Sequence, residues 1–102
     1  MENEITATEL RQELNESPGK IFLIDLMSKE DFAANHIPGA INIPVEELEN
    51  RVAEIPKDKN IVVVCRRGLM KSDVALEQLD ELGFQNVKKL TGGTTNWFES
   101  LK

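Results

Sequence analysis

The only cysteine in the chain, Cys65, opens a short basic stretch. Arg66, Arg67 and Lys71 follow it closely, although the chain as a whole carries a formal net charge of -6. The thiolate is the nucleophilic form of cysteine, and nearby cations and backbone N–H groups stabilise that form. The spacing therefore predicts a reactive thiolate beside a binding site for an anion.

The residues on either side of this stretch predict a strand, a loop and a helix. The β-branched run 61–64 is typical of a strand that is covered on both faces. From Ser72 onward the apolar residues fall on one helical stripe, which predicts a helix over 72–82. Free N–H groups and the helix dipole meet at such a junction, so an anion is expected to bind there. Gly68 lets the loop bend where a side chain would obstruct it.

Each of these features also has a purely structural explanation. A lone cysteine at the end of a strand is often a small buried apolar residue, and adjacent basic residues often form a solvated turn. The chain has 18 acidic and 12 basic residues. A local excess of positive charge next to Cys65 therefore favours the reactive thiol.

Composition limits the classes of protein and partner. A length of 102 residues predicts one domain over 1–102, and 40% hydrophobic with 29% charged residues is typical of a soluble globular protein. The negative net charge argues against nucleic acid and against an anionic membrane as partners. The N-terminus, which includes Met1 and Glu2, lacks the apolar stretch of a signal peptide or a membrane anchor. A single cysteine predicts no internal disulfide, no multi-cysteine metal site and a reducing, cytoplasmic location.

Local signals divide the rest of the chain into alternating helices and strands. Thr6 with Glu9 is a capping box, Ser28 is a second N-cap, and Gly83 is typical of a helix end. The apolar spacing after Pro44 predicts one helix over 45–55. We expect further helices from residues 6, 28, 72 and 94, and strands at 21–26, 40–43, 61–64 and 87–90. The alternation predicts an α/β fold with a mostly parallel sheet.

The predicted topology places a carboxylate near the cysteine. Ligands of parallel sheets bind beyond the carboxyl ends of the strands, so Asp25 and Cys65 are expected at the same edge. We interpret Asp25 as structural support, which either orients the loop or binds backbone N–H groups, rather than as an acid–base group. The pair 92–93 (Gly-Gly) predicts either a positive φ or a close approach of two backbone segments. His36 and Trp97 are interpreted as turn and core residues rather than as ligands.

Several motifs lie in the order and spacing of one known family. They are Asp25-Leu26, the segment HIPGAINIP at 36–44, the strand and cysteine at 61–65, Gly83-Phe84, and LTGG at 90–93 followed by Trp97. Over nearly its whole length the chain resembles the rhodanese-homology domains.

The resemblance implies both a fold and an activity. The fold would be the rhodanese-like three-layer arrangement, with a central, mostly parallel sheet and helices on both faces. The activity would be that of a sulfurtransferase without a cofactor or metal. In it, Cys65 takes a sulfane sulfur from thiosulfate or another small anionic donor as a persulfide, then passes it to a thiol or protein acceptor. The donor would bind in the loop formed by Arg66, Arg67, Gly68, Leu69, Met70 and Lys71, with Asp25 and Ser72 in support.

Two departures from the family pattern leave alternatives open. Met27 stands where family members usually carry arginine, which bears on the range of substrates. The loop from Cys65 to Lys71 is also one residue longer than in sulfur-handling members. It thereby resembles the phosphatase and arsenate-reductase branch, which holds a bulkier tetrahedral anion.

The residue that closes the loop argues against this branch. The branch closes with arginine, whose fork grips two oxygens, whereas Lys71 is a single point charge. A reductase would also need a second thiol. Sulfur transfer is therefore the favoured function. A noncatalytic binding or sulfur-carrier module is the third reading, although such a module has no need of Cys65.

Overall fold

The computed structural model describes residues 3–102, in which strands and helices alternate. The strands are β1 (Glu4–Ile5), β2 (Ile21–Asp25), β3 (Ile41–Asn42), β4 (Asn60–Val64) and β5 (Val87–Leu90). The α-helices are α1 (Ala7–Glu16), α2 (Lys29–Ala34), α3 (Met70–Glu81) and α4 (Gly93–Glu99). The strands form one sheet in the order β1-β5-β4-β2-β3, and neighbouring strands are parallel. The predicted α/β class is confirmed.

Apolar side chains cover both faces of the sheet. Alternate residues of a strand point to opposite faces, and in β4 Val63 packs with Ala75 and Leu79 of α3. Val62 and Val64 pack on the other face with Leu10 of α1 and Trp97 of α4, among other residues. Helices therefore cover both faces, which explains why β4 is a continuous apolar run.

The predicted ends of the helices are formed by the expected hydrogen bonds. The Glu9 N–H donates to Thr6 Oγ1 at 3.1 Å, and the Thr6 N–H donates to Glu9 Oε1 at 2.9 Å. Ser28 caps α2 by accepting from the Asp31 N–H at 3.1 Å. At the end of α3, Gly83 has a φ of +93°, as expected for a residue just past a helix. These local signals are confirmed.

The predicted α-helix over 45–55 is wrong. Two short 3₁₀ segments occupy this stretch, Val45–Glu47 and Glu49–Glu54, and Arg51 departs from helical geometry with φ -114° and ψ 16°. The Arg51 guanidinium donates to the Asn42 carbonyl at 3.2 Å and pairs with two nearby glutamates. These contacts hold the kink, while the predicted apolar residues Leu48 and Ile55 are still buried.

One strand was missed, and several boundaries differ from the sequence prediction. Strand β1 was not predicted, because two residues are too short for a periodic signal. Strand β3 is confined to 41–42 instead of 40–43. Helix α3 begins at Met70 rather than at 72, and the Asp73 N–H already donates to the Leu69 carbonyl at 3.0 Å. Met70 is exposed, so no apolar stripe marked this first turn.

Along 3–102, no helix combines the length and apolar character needed to cross a membrane. Met1 and Glu2 lie outside the described residues. The expectation of an N-terminus without a signal peptide or membrane anchor, which rests partly on them, stays a prediction from the sequence.

Candidate functional site

Cys65 lies at the carboxyl edge of the sheet, directly after β4. Val64, the last residue of β4, pairs with Asp25, the last residue of β2. The Leu26 N–H donates to the Val64 carbonyl at 2.8 Å, so the two strand ends stay joined beyond the ladder. The prediction that Asp25 and the Cys65 loop share one edge is confirmed.

The Cys65 side chain is held by a buried serine. Ser72 lies in the first turn of α3, is fully buried, and donates its hydroxyl hydrogen to Cys65 Sγ at 3.1 Å. A hydroxyl donor fixes the direction of the sulfur. The sequence placed Ser72 only as support for the loop, and the structure shows the contact by which it can act.

The backbone of the loop is anchored on the start of α4. The Thr94 N–H donates to the Cys65 carbonyl and the Thr95 N–H to the Arg66 carbonyl, each at 2.9 Å. Gly93 has a φ of +62°, and a Cβ on it would lie 2.1 Å from the Cys65 carbonyl oxygen. Both readings of the Gly-Gly pair, positive φ and close backbone approach, are therefore confirmed at Gly93. The carbonyls of Cys65 and Arg66 therefore both accept hydrogen bonds from the first turn of α4.

Gly68 is the second point at which the loop is fixed. It is buried with a φ of +71°, and an added Cβ would lie 2.6 Å from the Leu90 carbonyl oxygen and 2.9 Å from the Gly92 nitrogen. A side chain here would meet backbone atoms rather than flexible side chains. Gly68 therefore shapes the loop and offers only its backbone to a ligand.

The other residues predicted to bind an anion are exposed around the cysteine. Arg67 is exposed, and Lys71 is exposed in the first turn of α3. Arg66 is directed toward α2, where its guanidinium pairs with Asp31 at 3.2 Å. The exposed fractions of Leu69 and Met70 are 59% and 81%. The loop thus presents cations and apolar side chains to solvent above a cysteine that is only 5% exposed.

Lys89 is a further cation near the cysteine, and it was not predicted from the sequence. It pairs with Val63 in the sheet, so its side chain lies on the same face as Val63 and as Cys65 two residues further on. Lys89 Nζ contacts Asp73 Oδ1 of α3 at 2.6 Å, and its side chain is only 15% exposed. This hydrogen bond raises the pKa of Lys89, and Cys65 makes a smaller contribution in the same direction. The alternation of side chains along a strand could have predicted it, because one of the adjacent residues Lys88 and Lys89 of β5 must lie on the same face as Val63.

Asp25 supports the strand ends from a buried position. It is 1% exposed, and Oδ1 accepts from the Met27 N–H at 2.9 Å. Oδ2 is buried without a hydrogen-bond partner among residues 3–102. Asn42 Nδ2 donates to the carbonyls of Asp25 at 3.1 Å and Met27 at 2.8 Å. Of the two roles expected for Asp25, the binding of a backbone N–H is the one that the structure shows. Met27, the departure from the family pattern, is itself buried.

Burial of Asp25 should make stability depend on pH. Desolvation raises the pKa of Asp25, against the opposing hydrogen bond from Met27. The folded protein therefore keeps this proton to a higher pH than the unfolded chain does, and stability falls as pH rises through the folded-state pKa. Asp25→Asn retains an oxygen for Met27 but does not titrate. We expect the unfolding free energy of the variant minus that of wild type to become more positive between about pH 4 and pH 7, measured by urea denaturation.

Because this prediction rests on a difference between two proteins, titrations elsewhere in the chain cancel. A difference that stays constant over the pH range would show that Asp25 has an ordinary carboxyl pKa.

His36 and Trp97 have structural environments, as the sequence predicted. His36 Nδ1 lies 2.7 Å from the Phe32 carbonyl oxygen, and its ring stacks on the Phe32 ring with centroids 3.8 Å apart. Trp97 is buried below the Arg11 guanidinium, whose central carbon is 4.5 Å from the ring centroid. In the part of the chain that the structure describes, no group of three His, Cys, Asp or Glu side chains is placed to hold a metal.

Comparison with known proteins agrees with this geometry. The profile of the rhodanese-like domain family matches residues 6–100. A sulfurtransferase of Allochromatium vinosum is 34% identical over 97 residues, covering 95% of this chain and 89% of that protein. The human thiosulfate:glutathione sulfurtransferase is 34% identical over 112 residues, covering 93% of this chain and 92% of that protein. The solved structure of a human single-domain sulfurtransferase gives a TM-score of 0.83 at 30% identity, covering 95% of this chain and 96% of that one.

Other curated relatives are much longer, and the chain spans 42% and 20% of the length of two of them. The similarity to the shorter relatives is nearly end to end and includes the strand, loop and helix around Cys65. With its parallel sheet covered by helices on both faces, the chain belongs to the family of rhodanese-like domains, a family that includes sulfurtransferases.

Proposed function

We propose that this protein transfers sulfane sulfur through a persulfide on Cys65. The observation that carries the proposal is the contact at 3.1 Å between the buried Ser72 hydroxyl and Cys65 Sγ, at the root of a loop rich in cations. The Cys65 thiolate attacks the outer sulfur of thiosulfate, the S–S bond of the donor breaks, and sulfite leaves with the bonding electrons. A second nucleophile then attacks the outer sulfur of the persulfide, and Cys65 leaves as the thiolate. No net oxidation of the protein occurs.

The loop residues have separate parts in this scheme. Ser72 orients the sulfur, and hydrogen bonds from the first turn of α4 hold the Cys65 and Arg66 carbonyls. Arg67 and Lys71 neutralise the donor and then the leaving anion. Asp25 supports the strand ends. The human relative is named for thiosulfate and glutathione, which supports a small anionic donor and a thiol acceptor here. A single free thiol suits a reducing compartment such as the cytoplasm.

Mass spectrometry of the intact protein tests the proposal directly. After incubation with thiosulfate, the mass should rise by one sulfur atom, and peptide mapping should place that atom on Cys65. Addition of cyanide should return the original mass and release thiocyanate in equal amount. An unchanged mass in thiosulfate and in other sulfane-sulfur donors would contradict the proposal and favour a noncatalytic module.

The extra residue in the loop is the specific feature that favours a cysteine-dependent phosphatase or arsenate reductase instead. Phosphoryl transfer depends on charge stabilisation at the equatorial oxygens, for which Lys71 lacks the bidentate fork of arginine. We therefore expect thiosulfate turnover to exceed hydrolysis of an aryl phosphate. Faster hydrolysis of the phosphate, with no persulfide on Cys65, would establish the alternative.

Alanine substitutions of the loop cations should weaken binding of thiosulfate. A charge-assisted hydrogen bond contributes about 1.5–3 kcal/mol, so loss of one that touches the donor reduces affinity roughly 10- to 150-fold. We expect the largest effect for Lys71, which stands in the helical turn that also carries Ser72, and the smallest for Arg66, which already pairs with Asp31. The apparent KM for thiosulfate measures the effect.

Lys20→Ala is the matched control, since Lys20 is exposed in the 3₁₀ segment Pro18–Lys20, just before β2 at the opposite end of the strands. It removes the same charge without touching the loop. If the alanine variants of Arg66, Arg67 and Lys71 all have the same KM for thiosulfate as this control, the three side chains face solvent and do not bind the donor.

A further inference from the structure

Three apolar side chains are exposed around the mouth of the proposed site. Leu69 is 59% exposed, Met70 is 81% exposed, and Val74 is 45% exposed. Met70 and Val74 are four residues apart on α3 and are therefore neighbours on its surface. Apolar side chains scattered singly need no explanation, but a contiguous apolar patch marks a binding surface. This patch begins in the loop of the nucleophile itself.

Acidic residues continue this patch along α3. Asp73, Glu77 and Asp80 recur at helical spacing, are all exposed, and line a groove of about 430 Å³ together with Leu76 and Phe84. Asp73 pairs with Lys89. Over residues 3–102, neither Glu77 nor Asp80 takes part in an ion pair. Their charges are thus available to a partner.

We propose that the surface formed by Leu69, Met70, Val74, Glu77 and Asp80, here called the α3 surface, docks a protein thiol acceptor. The partner presents an apolar side chain beside its cysteine and a row of lysine or arginine residues behind it. This inference rests on the proposed function, because it assigns the acceptor of the Cys65 persulfide. The acceptor thiolate attacks the outer sulfur, the bond from that sulfur to Sγ breaks, and the acceptor leaves as the persulfide.

The length of the α3 surface and its negative charge favour a basic protein as the partner. From Met70 to Asp80 the helix rises about 15 Å, which is more than a low-molecular-weight thiol spans. The acidic half repels nucleic acid and anionic lipid and attracts a basic protein face. The apolar half is placed where the partner's cysteine must approach Cys65. A small anionic donor can use the loop cations without touching either half.

Two synthetic cysteine peptides serve as probes of the α3 surface. Both have leucine next to cysteine; one carries a row of lysines and its twin carries glutamates instead. With persulfide-loaded protein, the lysine peptide should accept sulfur roughly tenfold faster than its twin at low salt, and the advantage should shrink as salt rises. Glu77→Lys and Asp80→Lys should remove most of the advantage. Val74→Ser should slow both peptides, and all three variants should keep wild-type turnover of thiosulfate with cyanide.

Glu49→Lys is the matched control for charge, because Glu49 is exposed in the 3₁₀ segment Glu49–Glu54 and is not part of the α3 surface. Leu101→Ser is the matched control for apolar exposure, because Leu101 is also 59% exposed but lies beyond α4. Both controls should retain the preference of wild type. Equal rates for the two peptides, or an equal loss in the control variants, would overturn the docking surface.

A failure of the proposed function is distinguishable from a failure of the docking surface. If no persulfide forms, binding of the fluorescently labelled lysine peptide to the unloaded protein still tests the surface by anisotropy. Tighter binding to wild type than to Glu77→Lys, with Glu49→Lys equal to wild type, would support the surface. Equal binding to all three proteins would refute it.

Discussion

Replacement of Cys65 by serine is expected to abolish sulfur transfer and leave the fold intact. A serine hydroxyl has no thiolate-like form near neutral pH and cannot hold a sulfane sulfur as a persulfide. The chain has no second cysteine to take over the reaction. Turnover of thiosulfate with cyanide should therefore fall by at least roughly a thousandfold, and the mass of the variant should not change in thiosulfate.

The same substitution is mild for the structure. Ser72 donates to the sulfur in wild type and can donate equally to a serine oxygen, so the new buried hydroxyl has a hydrogen-bond partner. We expect a change of about 1 kcal/mol or less in the free energy of unfolding. Undiminished transfer by Cys65→Ser would end the persulfide mechanism. A loss of activity that accompanied unfolding would be separated from chemistry by repeating the assay with Cys65→Ala.

The sequence predicted most of the elements because their signals are local. The reciprocal bonds of Thr6 and Glu9 join groups three residues apart, and the strand signal at 61–64 lies within the strand itself. The prediction over 45–55 failed for the opposite reason. Arg51 leaves helical geometry to reach the Asn42 carbonyl, a contact that exists only after β3 has been placed. The apolar spacing predicted that Leu48 and Ile55 are buried, but it did not distinguish a 3₁₀ helix from an α-helix.

The same distinction between local and distant signals holds for the site. Cys65 and its cations are adjacent in sequence, so their chemistry could be predicted without the fold. The groups that hold them are distant in sequence: Gly93 reaches the Cys65 carbonyl, and Lys89 reaches Asp73 only because β5 lies beside β4. The Gly-Gly pair predicted an unusual backbone conformation. Only the order of the strands showed that Gly93 lies against the Cys65 carbonyl.

Gly93→Ala is expected to damage both stability and activity because Gly93 is packed against the backbone of the loop that begins at Cys65. Its φ of +62° strains any residue with a Cβ, and that Cβ would lie 2.1 Å from the Cys65 carbonyl oxygen and 2.5 Å from the Arg66 carbonyl carbon. Backbone atoms cannot move aside as a flexible side chain does, so the loop itself must shift. We expect the free energy of unfolding to fall by about 3 kcal/mol or more. Sulfur transfer by the remaining folded protein should fall at least tenfold, because the displaced loop carries Cys65.

Two other glycines separate the causes of this loss. Within residues 3–102, Gly19 has no atom within 4 Å of its would-be Cβ, and its φ is not positive, so Gly19→Ala should be neutral or stabilise by up to about 1 kcal/mol. Gly39 has a φ of +90° with equally open surroundings, so Gly39→Ala should cost about 1–2 kcal/mol and leave sulfur transfer per folded molecule unchanged. The excess cost of Gly93→Ala over Gly39→Ala, measured by urea denaturation, then reports the contact with the loop. Equal costs at the two positions, with full activity in both variants, would show that the loop yields freely at Gly93 and that α4 does not fix the position of Cys65.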